Sequence, residues 1–480
     1  MGDGGDRYLR PRRGTETSVP INMKDEAIQS MEKNLTIGSV PKTMVYFALP
    51  YLLSYFLQTL YGMADLFIIG QFCGNDAGAT TAVANGSQIM HMITVILVGL
   101  AMGTTVVIGK AVGAKKLQDA QAAIGNTVTI FMIISVSLTM ILLIFINPIV
   151  AVMDTPEEAV KGITDYLIVC FIGIPFITAY NVISSIFRGL GDSKSPMYFI
   201  AVACGLNIAL DYIFIGACGM GPLGAALGTT LAQTFSVIIS FAAIKRMNTG
   251  LKLTRNDFVP RKNVLGEIVK IGLPVAVQDG CIQIAFIVIT VIANNRGVND
   301  AAAVGVVEKM ISFIFIVPSS MLATVSALAA QNIGAGKHDR AEQILKYALG
   351  IIVAYGAIAI AVVEIFAPEL VGLFSKNKVV VIMGVQYISS YIVDCVFAGI
   401  HFSFTGYFCA YGKSYIGFIH NMIAIVCARI PGSYIASIMY PDTLFPMGFA
   451  APAGSFISIV ICVGAFVWMK RRGTLYKTNV

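Results

Sequence analysis

The sequence predicts an all-α integral membrane protein of twelve transmembrane helices arranged as two parallel six-helix bundles. Three observations lead there. Hydrophobic residues make up 56% of the 480 and charged residues only 12%, about half the charge of a soluble domain. The apolar residues fall into long runs, and several motifs recur at a nearly fixed offset.

The mean hydropathy of +0.78 asks for lipid as the solvent. Stretches 127–153 and, apart from Glu364, 349–367 carry no formal charge. About 20 such residues cross the hydrocarbon core as a helix, whose backbone bonds are satisfied internally. The net charge of +7 does not point to nucleic acid, because the basic residues sit in short loops between apolar runs. The nine cysteines have no metal-type spacing, and Cys170, Cys204, Cys281, Cys395 and Cys427 lie inside apolar segments. They read as small packing residues in a reduced setting.

Residues 1–42 form a polar amino-terminal segment with no cleavable signal, since the first apolar run is too long. Its first 30 residues read as disordered, Met23 or Met31 could be the natural start, and Asp6 stands where a myristoylation signal needs Ser or Thr. Twelve apolar runs follow, at 43–72, 85–109, 121–147, 163–187, 196–218, 223–244, 265–293, 302–330, 341–366, 380–408, 414–440 and 446–469. They divide into an amino-terminal bundle (43–245), a linker (246–263), a carboxy-terminal bundle (264–470) and a tail (471–480).

Basic residues set the orientation. With the amino terminus in the cytoplasm, the inside segments hold 26 Lys and Arg, including seven in the amino-terminal segment, seven across 245–270 and four after 469. The outside loops hold four: Lys161, Arg296, Lys376 and Lys378. This asymmetry places both termini inside and requires an even number of spans.

The two halves repeat one another. Lys110-Ala-Val-Gly returns as Gln331-Asn-Ile-Gly, and Phe187–Ser193 (FRGLGDS) as Phe408–Ser414 (FCAYGKS), both offset by 221. Leu49-Pro50 and Asn75-Asp76-Ala77 return as Leu273-Pro274 and Asn299-Asp300-Ala301, offset by 224. Six spans per half give parallel repeats about an axis along the membrane normal, with a solute site expected between or within them.

An ionisable group in the membrane costs about 2.5–3.5 kcal/mol on insertion scales, so each asks for a reason. Asp65 and Asp211 lie about seven residues from the outer ends of the first and fifth runs, and Thr229 about six residues into the sixth. At about 1.5 Å per residue they share one depth. Asn207 precedes Asp211 by one turn. Two carboxylates, an amide and a hydroxyl at one level suit a dehydrated hard cation or a proton shared by close carboxylates. The plainer alternative is that each group bridges neighbouring helices. Pro50, fifteen residues before Asp65, is expected to bend the first helix or free a carbonyl there, and so to act as a hinge.

Other groups carry less. Asp394 and Arg429 fall near the middle of the tenth and eleventh runs, where they could pair or line a pocket, and Asp279 in the seventh is similar. Glu308, Lys309 and Glu364 lie near outer ends, where snorkelling suffices. His91, His401 and His420 read as core or pocket histidines, and Gly99 and Gly103 as a helix-packing pair. No phosphate loop, metal motif or hydrolase triad is present, so neither an enzyme nor a cofactor is expected.

LPYLLSYFLQTLYGMADLFIIGQFCGNDA resembles the first helix of the multidrug and toxic compound extrusion (MATE) family. LNIALDYIFIGACGMGPLGAALGTTLAQ resembles that family's helix 5–6 hairpin, and QNIGAGKHDRA its helix 8–9 loop. The resemblance covers about residues 31–475. It implies a V-shaped pair of bundles that exports organic cations in exchange for sodium or protons. The DinF-like and MepA-like bacterial branch implies cation coupling at Asp65, Asn207, Asp211 and Thr229, and a helix 1 bend at Pro50. In the NorM-like branch a helix 7 glutamate stands where this chain has Gln283, and Asp394 matches a helix 10 aspartate loosely. Asp394, Arg429 and Gln283 are therefore candidate pocket residues without a carboxy-terminal sodium site.

The expected protein is thus a multi-pass antiporter of a bacterial plasma (inner) membrane. It works as a monomer, with an organic small molecule, sodium or protons, and the lipid bilayer as partners, and no nucleic acid. A lipid-linked oligosaccharide flippase is the alternative, but its phosphates would need several deep basic residues and only Arg429 is deep. A membrane-embedded transferase would need clustered His, Asp or Glu at the inner surface, and none is found. A channel fits poorly with the repeats.

Overall fold

A computed structural model of the protein describes residues 34–74, 76–153, 156–246, 253–473 and 475. The expected tail up to residue 33, the linker part 247–252 and residues 476–480 lie outside the described residues. The first half contains α1 (Val40–Phe72), α2 (Ala77–Gly113), α3 (Leu117–Ile144), α4 (Glu157–Gly189), α5 (Lys194–Ala217) and α6 (Gly221–Ile244). The second contains α7 (Lys262–Asn294), α8 (Val298–Gly334), α9 (His338–Gly372), α10 (Lys378–Tyr391 and Asp394–Ala410), α11 (Tyr415–Met439) and α12 (Phe445–Arg471). Eleven are long and apolar enough to cross a membrane, and the pair forming α10, bent by 40°, makes the twelfth.

Several helices outrun their apolar cores because polar ends are solvated and capped. The apolar run at 85–109 becomes Ala77–Gly113, begun by Asp76, whose carboxylate accepts the Ala79 N–H at 3.0 Å. Breaks follow proline chemistry in part. Phe366 leaves helical geometry (φ −115°, ψ 17°) two residues before Pro368 in α9. α8 consists of Val298–Ile314 and Ile316–Gly334, separated at Phe315. α1, by contrast, runs through Pro50 as one continuous helix. Two spans widen into π turns, α5 at Tyr212–Ala217 and α11 at Ile425–Arg429.

The halves join at one end. There a single apolar cluster takes residues from both, among them Met44, Phe47 and Val106 from the first and Ile268, Leu328 and Tyr407 from the second. Toward the opposite end the core divides, one cluster around Ile68 and Phe171, the other around Val307 and Tyr387. The molecule is a fork.

Close backbone approach makes the joint. A Cβ on Gly113 would run into the Gln331 carbonyl, and one on Gly334 into the Lys110 carbonyl. These residues are the repeat-related pairs at offset 221, so the internal repeat crosses itself at its own axis. Gly103 likewise meets the Ile268 carbonyl and Gly272 the Leu100 carbonyl. Between lipid-bathed helices, packing replaces the hydrophobic drive, and small residues permit it. The packing role expected for Gly99 and Gly103 is seen against α7.

Polar ties gather at the same end. Gln331 donates to the Gly189 carbonyl at 3.0 Å, and Lys110 pairs with Glu267 at 3.4 Å. The Asn332 amide donates to the Leu35 carbonyl (3.3 Å), Lys337 to Thr36 (2.9 Å), and Arg340 to Ile37 (2.9 Å) and Gly38 (2.8 Å). Four consecutive carbonyls ahead of α1 are thus held by the second half. Asn126 in α3 secures the linker, accepting the Arg261 N–H at 2.6 Å and donating to the Asp257 and Val259 carbonyls.

Candidate cation site

In the first half, the prong away from the joint holds the four residues expected at one depth. Asp65 in α1, Asn207 and Asp211 in α5 are 3%, 2% and 0% exposed, and Thr229 in α6 is half-buried. The Asn207 amide donates to Thr229 Oγ1 (3.4 Å), and the Thr229 hydroxyl donates to Asp65 Oδ2 (3.1 Å). One threonine therefore links three helices. The Asp65 and Asp211 carboxyl groups lie within interaction range of one another.

Local sequence builds this geometry. α5 enters its π turn at Tyr212, immediately after Asp211, and such turns re-aim side chains at functional sites. Gly228 lets Asp211 approach α6, because a Cβ there would overlap Asp211 Oδ1. Gln233, one turn beyond Thr229, is also buried, and Tyr61 lies one turn before Asp65 and within reach of Gln233. The sequence reading missed Gly228, Gln233 and the π turn. The i, i+4 spacing of Thr229 and Gln233 was the available signal; nothing in the sequence marks the π turn.

Asp65 Oδ1, Asn207 Oδ1 and both Asp211 oxygens are buried without a hydrogen-bond donor among the described residues. Buried carboxylates without donors are costly. Four oxygens converging from two helices fit a desolvated monovalent cation or a proton shared between the carboxylates. They do not suit a transition metal, which prefers imidazole and thiolate.

The second half is arranged differently. Arg429 Nη2 donates to Asp394 Oδ2 at 2.9 Å, with the side chains 12% and 0% exposed. Asp394 begins the second piece of α10, directly after its bend, and Arg429 ends the π turn of α11. The Phe286 ring flanks the guanidinium at 5.9 Å. Asp394 and Arg429 thus form the pair that the sequence allowed. Gln283 is half-buried on α7 and hydrogen-bonds to neither.

One expectation needs correction and another is narrowed. Glu308 does not snorkel: Oε2 accepts from Thr290 at 3.4 Å, and Oε1 is buried without a partner. Its side of α8 turns toward Thr290 of α7, whereas the adjoining Lys309, at the same depth, faces outward. Lys309 and Glu364 are exposed, as snorkelling allows. His91 is exposed on α2, which excludes the core half of the expectation and leaves the pocket half untouched. His401 and His420 are core residues with ring centroids 5.2 Å apart, and the Thr405 hydroxyl meets His420 Nε2 at 3.0 Å.

The comparisons with known proteins follow this architecture. A family model described as MatE matches residues 50–213 and 274–435, one match in each half. The chain is 25% identical over 445 residues to the probable multidrug resistance protein YoeA of Bacillus subtilis, covering 91% of this chain and 96% of that one. It is 25% identical over 428 residues to the multidrug export protein MepA of Staphylococcus aureus, covering 87% and 90%. A solved structure described as the outward-facing conformation of a multidrug resistance MATE family transporter superposes with a TM-score of 0.85. That likeness is 23% in sequence and covers 93% of this chain and 99% of the other.

Proposed function

This chain belongs to the MatE family of bacterial multi-pass membrane transporters, and from that premise we propose that it is a secondary antiporter exporting organic cations in exchange for sodium or protons. The carrying observation is the charge left open in the first half: two buried carboxylates whose oxygens outnumber their donors. Asp65, Asn207, Asp211 and Thr229 bind the coupling ion, and Gln233 supports them from the next turn of α6.

A cation entering between Asp65 and Asp211 removes their mutual repulsion and draws α1 and α5 together. The state in which these helices meet is then favoured, while the drug favours the other; this difference in affinity is the coupling. Inward movement of one charge across about 100 mV contributes about 2.3 kcal/mol. Pro50 lies four turns below Asp65 in α1 and serves as the point about which the outer part of that helix swings. The joint end of the fork faces the cytoplasm, with both termini, as the basic loops require. The flippase alternative loses its one deep cation, because Arg429 is already held by Asp394.

Ethidium transport by purified protein in liposomes, with a sodium or a proton gradient imposed singly, tests this reading. Uptake driven by one gradient and absent in Asp65→Asn is the expected result; wild-type protein that ignores both gradients would overturn it. Labelling of Lys262→Cys by an impermeant reagent from outside intact cells would overturn the orientation.

A further inference from the structure

Each half begins on a short leader that the other half holds. The leader of α1, residues 34–39, meets donors of the second half: Asn332 on the Leu35 carbonyl, Lys337 on that of Thr36, and Arg340 on those of Ile37 and Gly38. The leader of α7, residues 254–261, lies on α3 of the first half. Asn126 accepts the Arg261 N–H and donates to the Asp257 and Val259 carbonyls, and Thr129 donates to the Phe258 carbonyl at 2.8 Å. A Cβ on Gly125 would overlap the Asp257 carbonyl, so this leader is also packed tightly.

The two holds differ in how readily they let go. Asn126 is 0% exposed, and losing the leader would strand its buried Oδ1. Lys337 is exposed and Arg340 half-buried, so water can take the place of the carbonyls they leave. Asn332, though buried, also donates to the Leu328 carbonyl of its own helix at 2.8 Å and stays paired on release. Leu35 is the one buried side chain of the α1 leader, which borders a cavity of about 530 Å³ shared with Lys42, Tyr46 and Ser193. Gly38, at φ +79° with open space around it, supplies a pivot ahead of α1. At the positions offset by 221 from Lys337 and Arg340 stand Lys116 and Asp119, and an ionised carboxylate cannot donate to a carbonyl. Further along, the inner end of α7 also keeps to the first half. Glu267 pairs with Lys110 at 3.4 Å, and Gly103 and Gly272 cross at the Ile268 and Leu100 carbonyls. Against these stands the Ser414 hydroxyl of the second half, donating to the Lys270 carbonyl at 3.2 Å.

We propose that the α1 leader is a releasable strap across the closed joint, held by Lys337 and Arg340 only while the cytoplasmic side is shut, whereas the α7 leader is a permanent tie that keeps the inner end of α7 on the first half. A state with the joint open comes from the antiporter reading, on which this rests. When the halves part, the strap lets go of the second half, turns about Gly38 and leaves with α1. The Asn126 tie stays closed, because it lies wholly on the first half and does not cross the opening. Hydrogen bonds from exposed donors add little each, so three of them bias the closed state without locking it.

The test uses the full-length protein in lipid nanodiscs carrying Ala330→Cys, a position of α8 that is 0% exposed and meets Gly109 of α2 inside the joint. Maleimide labelling of that cysteine, located by peptide mass spectrometry, reports opening of the joint. Lys337→Ala with Arg340→Ala should speed labelling about tenfold, as loss of three exposed hydrogen bonds implies. Asn126→Ala should lower the melting temperature yet leave labelling within about twofold of the parent. If Asn126→Ala does not fold, Thr129→Val, which removes only the bond to the Phe258 carbonyl, decides in its place. Unchanged labelling in the double variant, or an equal rise in Asn126→Ala or Thr129→Val, would overturn the proposal. Should the double variant not fold, Lys337→Ala alone is expected to speed labelling about threefold, and no change there overturns it equally. Labelling needs neither drug nor ion gradient, so its failure is distinct from a failure of gradient-driven ethidium transport, which overturns the antiporter reading alone.

Discussion

The two prongs of the fork solve the problem of buried charge in opposite ways. In the first, Asp65 and Asp211 lie side by side, and the one hydroxyl between the helices serves Asp65 alone. In the second, Asp394 has a guanidinium 2.9 Å away. Both prongs carry a π turn beside the charged residue, yet the first keeps a charge that only something from outside can neutralise. The second carries its cation covalently. A tethered cation stiffens a bundle, whereas an exchangeable one can move it, which is why the proposed ion site belongs to the first prong.

The largest effects should come from removing the open charge. Asp65→Asn and Asp211→Asn should each lower gradient-driven ethidium transport about 100-fold, equivalent to about 3 kcal/mol of lost ion stabilisation. Protein levels and thermal stability should be unchanged or raised, because an uncompensated charge is gone. Transport near the wild-type rate in both variants would move the ion site elsewhere.

In the second prong the consequence should be structural. Asp394→Asn leaves Arg429 buried without its counter-charge, a loss of about 3–5 kcal/mol, and the melting temperature should fall. Replacing the pair together, Asp394→Leu with Arg429→Met, should recover most of that stability. If the double variant stays as unstable as the single one, or changes which ion drives transport, the contrast between the prongs is wrong.

Gly228→Ala places a methyl where Asp211 Oδ1 lies. The carboxylate can rotate away, so the fold should survive while apparent ion affinity falls about tenfold, within the usual cost of overpacking. An ion titration of transport separates this from general loss of activity. Pro50→Ala should have the smallest effect: a few-fold slower transport with drug binding intact, since the proline lowers the barrier to bending but contacts neither ligand. Unchanged transport in this variant would remove the hinge from the mechanism.

Composition and periodicity alone determined the solvent, the twelve spans, the repeat and the shared depth of Asp65, Asp211 and Thr229. Depth is legible because a helix advances about 1.5 Å per residue and the bilayer fixes both ends. What lies beside a residue is not legible in this way. The sequence left Asp394 and Arg429 undecided between pairing and lining a pocket, and placed Glu308 by its distance from a helix end when its rotation about the axis decided its fate. It gave no sign that Gly228 makes room for Asp211, or that Asp279 meets Gly99 of the other half. These lateral neighbours depend on how helices rotate and cross, and in lipid small shape differences set the crossings, because the apolar residues that fix depth are equally at home against acyl chains and against one another.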